Sequence, residues 1–309
     1  MSTVAVIMTT YNGEKFVGEQ IDSILASTYQ DFELFIFDDG SKDQTMSVLE
    51  DYERNYPDKI HVSQNKTNLG VTLNFLSALS RTTMDYIMFC DQDDVWMKHK
   101  IALTLKRMRN MEAQIGRDNP LAVFSDACVV DQNLNEINRS FFRTGHLNPQ
   151  KTDLSHILME NKLIGCTVMV NAALRRVLQS NKLPEKAKYH DWWIALIASS
   201  FGKIGFINEC TLYYRQHEDN VVGGASFYDY VRNRLRTLKN QKEAIRVLER
   251  QAEEFLALYG GDLSDQNSEI IRIFSELDQL GFIRKKLIWL SSGYRKSGLI
   301  RNLGVLFMI

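Results

Sequence analysis

Phe89-Cys90-Asp91-Gln92-Asp93-Asp94-Val95-Trp96 follows directly on the apolar residues Tyr86-Ile87-Met88. An apolar run of this length that stops at charge reads as a buried strand. In open α/β sheets, ligands sit beyond the carboxyl ends of the strands. Asp91, Asp93 and Asp94 are therefore expected to project from a strand end into a crevice. Carboxylates crowded in this way repel one another, and a divalent cation relieves the repulsion. Asp91 and Asp93 stand two apart and can face one ion across a tight turn. Oxygen ligands of this kind favour Mg²⁺ or Mn²⁺ held jointly with substrate phosphates. The competing reading is a solvated acidic turn ahead of a helix that starts near Met97.

The same pattern, an apolar strand with a polar end, recurs upstream. Residues 4–9 form an apolar run that ends in the turn Thr10-Tyr11-Asn12-Gly13, and residues 32–37 end in Asp38-Asp39-Gly40-Ser41. Helical spacing over residues 14–27, 43–56, 72–80 and 97–111 separates these runs, with further strands expected at 60–63 and 121–130. Strands alternating with helices imply an α/β domain with a mostly parallel sheet and helices on both faces. Parallel strands present their carboxyl ends on one edge, so Thr9 to Asn12, Asp38 to Ser41 and Asp91 to Asp94 should converge. The first strand is not followed by G-x-G-x-x-G, and G-x-x-x-x-G-K-[ST] is absent, which disfavours dinucleotide and P-loop sites. A nucleotide bound by carboxylates and a metal remains. Asp39 could accept a hydrogen bond from a pyrimidine N–H or a ribose hydroxyl, or could cap the helix beginning near Asp43.

The 309 residues allow one large domain or two smaller ones, and 44% hydrophobic with 24% charged residues is ordinary for a globular chain. A net charge of −1 gives no field that would draw the protein to nucleic acid. Cys90, Cys128, Cys166 and Cys210 are widely spaced, which speaks against a disulfide framework or zinc site and for a reducing cytoplasm. The N-terminus enters a strand without a basic region or cleavage site, and no apolar stretch is long enough to span a bilayer. The character changes after Gly223-Gly224, so a domain of residues 1–224 and a helical region of residues 225–309 are expected. Leu238, Ile245, Leu248, Ala252, Phe255 and Tyr259 form an amphipathic stripe through which two copies could pair, or which packs on the first domain. From Gly281 to Ile309 there is no acidic residue, and Arg284, Lys285, Lys286, Arg295, Lys296 and Arg301 alternate with aromatic and aliphatic residues. That mixture fits an interfacial helix on anionic lipid, a helical cap on the domain, or a subunit interface.

Four motifs in order, Thr9-Thr10-Tyr11-Asn12-Gly13, Asp38-Asp39-Gly40-Ser41-Lys42-Asp43, Asn65-x-x-Asn68-x-Gly70 and Asp91-Gln92-Asp93-Asp94-Val95-Trp96, resemble those of family 2 glycosyltransferases. The resemblance covers roughly the first 220 residues and implies the GT-A fold with a nucleotide-diphosphate sugar as donor. His190-Asp191-Trp192-Trp193 and Tyr214-Arg215-Gln216-His217 narrow it to the rhamnosyltransferase branch that builds bacterial rhamnose-containing cell-wall polysaccharides, as in streptococci. That branch implies dTDP-L-rhamnose as donor and a lipid-linked saccharide as acceptor, and with the basic, apolar C-terminal residues the enzyme is expected on the cytoplasmic face of the membrane. By the same resemblance, Thr9, Tyr11, Asn12, Asp39, Asn68 and Asp91 hold the nucleotide, and Asp91, Asp93 and His217 form the site for Mn²⁺ or Mg²⁺. His217 could instead be a surface loop histidine.

Family 2 enzymes invert the anomeric centre in one displacement, which needs a base for the acceptor hydroxyl. Asp191 is the candidate: a carboxylate beside Trp192 and Trp193 is partly desolvated, which raises its pKa toward a useful value. Capping of the following helix is the ordinary alternative, and His190 is the competing base. The two tryptophans could stack on sugar faces of the acceptor or pack in the core. The Q-x-x-R-W of processive synthases is absent, so addition of one or a few sugars is implied. Two rivals stand beside this reading: the same fold with a UDP-hexose donor, and a non-catalytic scaffold subunit.

Overall fold

The computed structural model describes residues 4–217 and 238–308. Four strands, β1 (Val4–Thr10), β2 (Phe32–Asp38), β3 (Ile60–Gln64) and β4 (Tyr86–Cys90), pair in parallel in the order β3-β2-β1-β4. Three helices connect them: α1 (Val17–Leu25), α2 (Thr45–Asn55) and α3 (Gly70–Arg81). Every residue of β1 and β4 is buried, which explains their unbroken apolar sequence: helices cover both faces of the sheet. Register does the rest. Thr10 pairs with Asp38, and Met8 with Cys90, so the polar ends of β1, β2 and β4 meet on one edge.

Beyond β4 the sheet becomes mixed. After β5 (Val95–Trp96) and α4 (Lys100–Ile115) come β6 (Leu121–Val130), β7 (Glu136–Asn138), α5 (Phe141–Thr144) and α6 (Leu154–Met159). Then follow β8 (Met169–Asn171), α7 (Ala172–Gln179), α8 (His190–Phe201) and β9 (Lys203–Arg215). The sheet continues β4-β8-β6-β9-β5, with β8 antiparallel to both neighbours and β7 paired to β6. Residues 163–170 read in sequence as one apolar strand, but here the run is divided. A 3₁₀ turn at Gly165–Thr167 precedes β8, and Gly165 passes so close to α8 that a Cβ there would lie 2.8 Å from His190 Nε2. Conversely, residues 204–208 and 211–214 read as two strands but form one, β9, whose register against β6 shifts around Asp126. Helix α7 went unforeseen in the sequence; Asn171 caps it by accepting from the Leu174 N–H at 3.1 Å.

The C-terminal region is helical, as expected: α9 (Leu238–Tyr259), α10 (Asp265–Ser275), α11 (Phe282–Ser291) and α12 (Leu299–Met308). The boundary expected at residue 224 lies outside the described residues. The stripe on α9 does not face outward. Ile245, Leu248, Ala252, Phe255 and Tyr259 are buried, and Phe255 meets the Trp193 ring of α8 at 5.2 Å. This face is spent on the chain's own domain, so it offers no surface for a second copy. The exposed apolar residues lie instead on α11 and α12: Phe282, Ile283, Leu287 and Leu290, then Leu299, Ile300 and Leu303. The structure also sorts the basic residues around them. Lys285 pairs with Asp278, Arg295 donates to the Trp289 and Leu290 carbonyls, and Arg301 pairs with Glu160. Arg284 is exposed and Lys286 sits 4.0 Å from the Phe282 ring centre, beside the apolar face. Among the described residues no helix is long and apolar enough to cross a membrane.

Candidate active site

The converging strand ends open into a cleft of about 1900 Å³. Thr9, Tyr11 and Asn12 after β1, Asp39 after β2, Asn68 before α3, and Asp91 and Asp93 after β4 all line it. Asp191, Trp192 and His217 line it as well, so the sequence brings together nearly all of its candidates. Trp193 is the exception. It is fully buried against Phe255 and Tyr259, one residue round the helix from Trp192, and cannot touch an acceptor. Asp94 is a second correction. Rather than projecting into the crevice, it is buried and accepts the Arg215 N–H at 3.1 Å.

Backbone hydrogen bonds fix the β1–β4 end. The Tyr11 N–H donates to Gln92 Oε1 at 2.9 Å and Gln92 Nε2 donates to the Tyr11 carbonyl at 3.1 Å, tying the β1 turn to the acidic turn. Asn12 adopts φ 50° and accepts the Lys42 N–H at 2.9 Å. Asp38 is buried and accepts from Thr10, Gly40, Ser41 and Gln64. Burial alone would raise its pKa, but these donors outweigh it and hold Asp38 below the usual range. Asp39 accepts from Asn65 Nδ2 at 2.9 Å and from the Leu69 and Gly70 N–H groups at 2.8 Å. It thus secures the turn before α3 and does not cap the helix near Asp43. Gly70 takes φ +74° in that turn, which suits glycine. Asn68 donates to the Asp39 carbonyl at 2.9 Å.

At the acidic turn, Asp93 Oδ2 and His217 Nε2 lie 2.8 Å apart. Arg215, missed as a functional residue, holds this pair: its guanidinium donates to the Asp93 carbonyl at 2.7 Å, the Gln132 carbonyl at 2.6 Å, and Glu19. Burial, then Asp93 and Asp191, raise the Asp91 pKa. Among the described residues the group whose ligand atoms all lie within 4.8 Å of one another is Asp91, Asp94 and buried Cys166, and not the expected set of Asp91, Asp93 and His217, of which Asp93 and His217 form a pair. Carboxylate oxygens beside an imidazole, with mutual repulsion to relieve, fit a divalent cation.

The α8 end differs. Asp191 stands in the first turn of α8, and its Oδ1 is buried without a partner. Burial pushes its pKa up to about 7, against donation from the Trp192 N–H, the Asn161 side chain and the Gly165 N–H. His190 packs on Phe75 at 4.1 Å, and burial pushes its pKa down to about 3. Burial therefore favours its neutral form and weakens it as a proton acceptor beside Asp191. Trp192 is largely buried and donates through Nε1 to the Ile157 carbonyl at 2.6 Å. Phe141, Leu147, Leu163, Ile164 and Tyr189 give this end an apolar wall.

With this geometry established, comparison with known proteins is informative. The model of the family described as Glycosyl transferase family 2 matches residues 5–176. The dTDP-rhamnosyl transferase RfbG of Shigella flexneri is 27% identical over 263 residues, 80% of this chain and 85% of that protein. Among solved structures, S. aureus TarS residues 1–349 in complex with UDP-GlcNAc superposes with a TM-score of 0.60 at 20% identity, over 94% of this chain and 76% of that one. The mannosyltransferase PcManGT of Pyrobaculum calidifontis, in complex with GDP-Man and Mn²⁺, gives 0.56 at 15% identity, over 99% of this chain and 78% of that one. These two likenesses concern the fold, which is GT-A.

Proposed function

Since the chain belongs to glycosyl transferase family 2 and is a glycosyltransferase, we propose that it moves L-rhamnose from dTDP-β-L-rhamnose to a lipid-linked saccharide in cell-wall polysaccharide synthesis. One observation carries the mechanism: Asp191, with an unpartnered carboxylate oxygen and a pKa near neutral, shares a cleft with Asp91 and Asp93. The acceptor oxygen attacks the anomeric carbon, the bond from that carbon to the diphosphate breaks, and dTDP departs with the electron pair. Asp191 takes the hydroxyl proton. Inversion turns the β-linked donor into an α-L-rhamnoside. Thr9, Tyr11, Asn12, Asp39, Asn68 and Asp91 would hold the nucleotide, Asp39 partly by shaping the turn it secures. Asp91, Asp93 and His217 would hold Mn²⁺ or Mg²⁺, which supplies charge neutralisation for the departing diphosphate. Trp192 would border the acceptor.

The rhamnosyl donor is supported by RfbG, whose name states that donor. A UDP-hexose is the second reading, because TarS binds UDP-GlcNAc on the same fold. Donor hydrolysis by purified protein decides between them, with dTDP-L-rhamnose beside UDP-glucose, UDP-galactose and UDP-N-acetylglucosamine, each with Mn²⁺ and with EDTA. Metal-dependent release of dTDP alone is expected; preference for a UDP-sugar overturns the donor. Protein that binds none of the four donors by calorimetry would be the scaffold. The exposed apolar face of α11 and α12, with Arg284 and Lys286 beside it and no acid after Gly281, supports peripheral binding to anionic lipid on the cytoplasmic face. Leu287→Ser with Ile300→Ser should reduce co-sedimentation with phosphatidylglycerol vesicles; unchanged binding overturns this part.

A further inference from the structure

The α8 end of the cleft is tied together by residues far away in sequence. Lys162 lines the cleft, yet its side chain is wholly buried. Its ammonium donates to Glu160 and, at 2.7 Å, to Ser297 Oγ. Glu160 also accepts from the Ser297 N–H at 2.8 Å and from Arg301 at 3.2 Å. The same two residues reach a second segment: Arg301 donates to the Gly145 carbonyl at 2.5 Å, and Ser297 Oγ accepts the Asn148 N–H at 3.0 Å. Ser297 and Arg301 therefore cross-link residues 145–148 to residues 160–162, and both segments contribute to the lining of the cleft.

Between Glu160 and Lys162 stands Asn161. It donates to the Leu163 carbonyl at 3.1 Å and accepts the Leu163 N–H at 3.0 Å, and it lines the cleft with Asp191. Gly165, in the same stretch, passes so close to the carboxylate that a Cβ there would lie 3.7 Å from Asp191 Oδ2. The path of residues 160–165 thus sets part of the surroundings of the carboxylate. We propose that Ser297 and Arg301 are positioning residues for the transfer step: the C-terminal region holds the 160–165 segment in the register that Asp191 needs. Lys162 is paired with Glu160, and Ser297 bonds to both members of that buried pair, so the segment is tied to a loop more than a hundred residues distant. This rests on the reading of Asp191 as the base.

The test compares Arg301→Gln, Ser297→Ala and Arg301→Lys with the wild type in the full chain. Hydrogen exchange by mass spectrometry should show faster exchange in peptides covering 141–148 and 160–165 for Arg301→Gln and Ser297→Ala, and unchanged exchange in 4–12 and 86–96. In dTDP-L-rhamnose hydrolysis, kcat should fall about tenfold with KM unchanged, and Arg301→Lys should recover most of it. Unaltered exchange at 160–165, or loosening spread over the whole domain, overturns the proposal. So does a parallel loss of kcat and donor affinity. Asp191→Asn separates the two ideas: if it leaves turnover intact, the base is wrong, while the exchange result still decides whether the C-terminal loop holds the segment.

Discussion

The two ends of one cleft use the same side chain in opposite ways. At the donor end, local donors saturate Asp38 and Asp39; Asp38 is held below the ordinary carboxylate range despite its burial. At the acceptor end, Asp191 keeps an unpartnered oxygen, and burial pushes its pKa up to about 7. The first arrangement makes carboxylates into architecture, since a fully hydrogen-bonded anion has little affinity left for a proton. The second makes one into a base. What separates the roles is whether donors reach both carboxylate oxygens, and a desolvated group with one oxygen left bare is where proton transfer becomes accessible near neutral pH.

The largest expected effect strikes the acceptor end alone. Asp191→Asn should lower kcat about 10³-fold, within the usual range for loss of a general base, and leave donor KM unchanged. It should also raise Tm by a few degrees at pH 8, because the amide escapes the cost of a buried charge. Loss of donor affinity in this variant would erase the contrast between the ends. The pH profile sharpens it. Asp191 accepts a proton only when ionised, so kcat should rise with pH through about 7 and fall away below it. His190, pushed down to about 3, does not supply that limb; Asp91 is also raised to about 7, so the limb belongs to Asp191 only if it disappears in Asp191→Asn. For stability the sign is reversed: a carboxyl whose folded pKa exceeds its unfolded value binds protons more readily when folded. Its contribution therefore worsens as pH rises from about 4 to about 7.

A smaller effect belongs to the donor end. Asp39→Asn removes one acceptor facing the Leu69 and Gly70 N–H groups and sets an amide donor against them. A stability loss of about 2 kcal/mol is expected, with donor KM raised about tenfold and kcat nearly unchanged. Thermal denaturation and donor titration read both. A fall in kcat as large as that of Asp191→Asn would mean that the two ends are not separable.

The donor end was legible because strand ends recur and register brings them together; three short polar clusters sufficed. The acceptor end was legible only in part. Trp192 and Trp193 are sequence neighbours, but consecutive helical residues point about 100° apart, and only Trp192 reaches the cleft. Asp94 reads like Asp93 until Arg215, from the far strand β9, turns it inward. The six basic residues after Gly281 look alike in sequence, yet Arg301 is committed to Glu160 across 141 positions. Pairings at such separations leave no periodic trace, so the cross-link through Ser297 and Arg301 could not be read beforehand, and the packing of the α9 stripe on the first domain was legible only as one of two alternatives.

The smallest effect probes the join within the donor end. A Cβ on Gly13 would lie 2.3 Å from Gln92 Oε1 and 2.5 Å from its Cδ. The intruded group is a flexible side chain, so Gly13→Ala should fold. Gln92, however, is the side chain that both accepts from and donates to the Tyr11 backbone, and it cannot move without loosening those bonds. Donor KM should rise about threefold, roughly the value of one net hydrogen bond, with kcat held because Asp191 lies at the other end. Gln92→Ala should produce a similar rise by deleting the bridge outright. The double variant should then be no worse than Gln92→Ala, since the clash has lost its object, and such non-additivity is the mark of a shared contact. Additive effects would instead mean that Gly13 acts through its own backbone conformation, and that the β1 turn is held independently of the acidic turn.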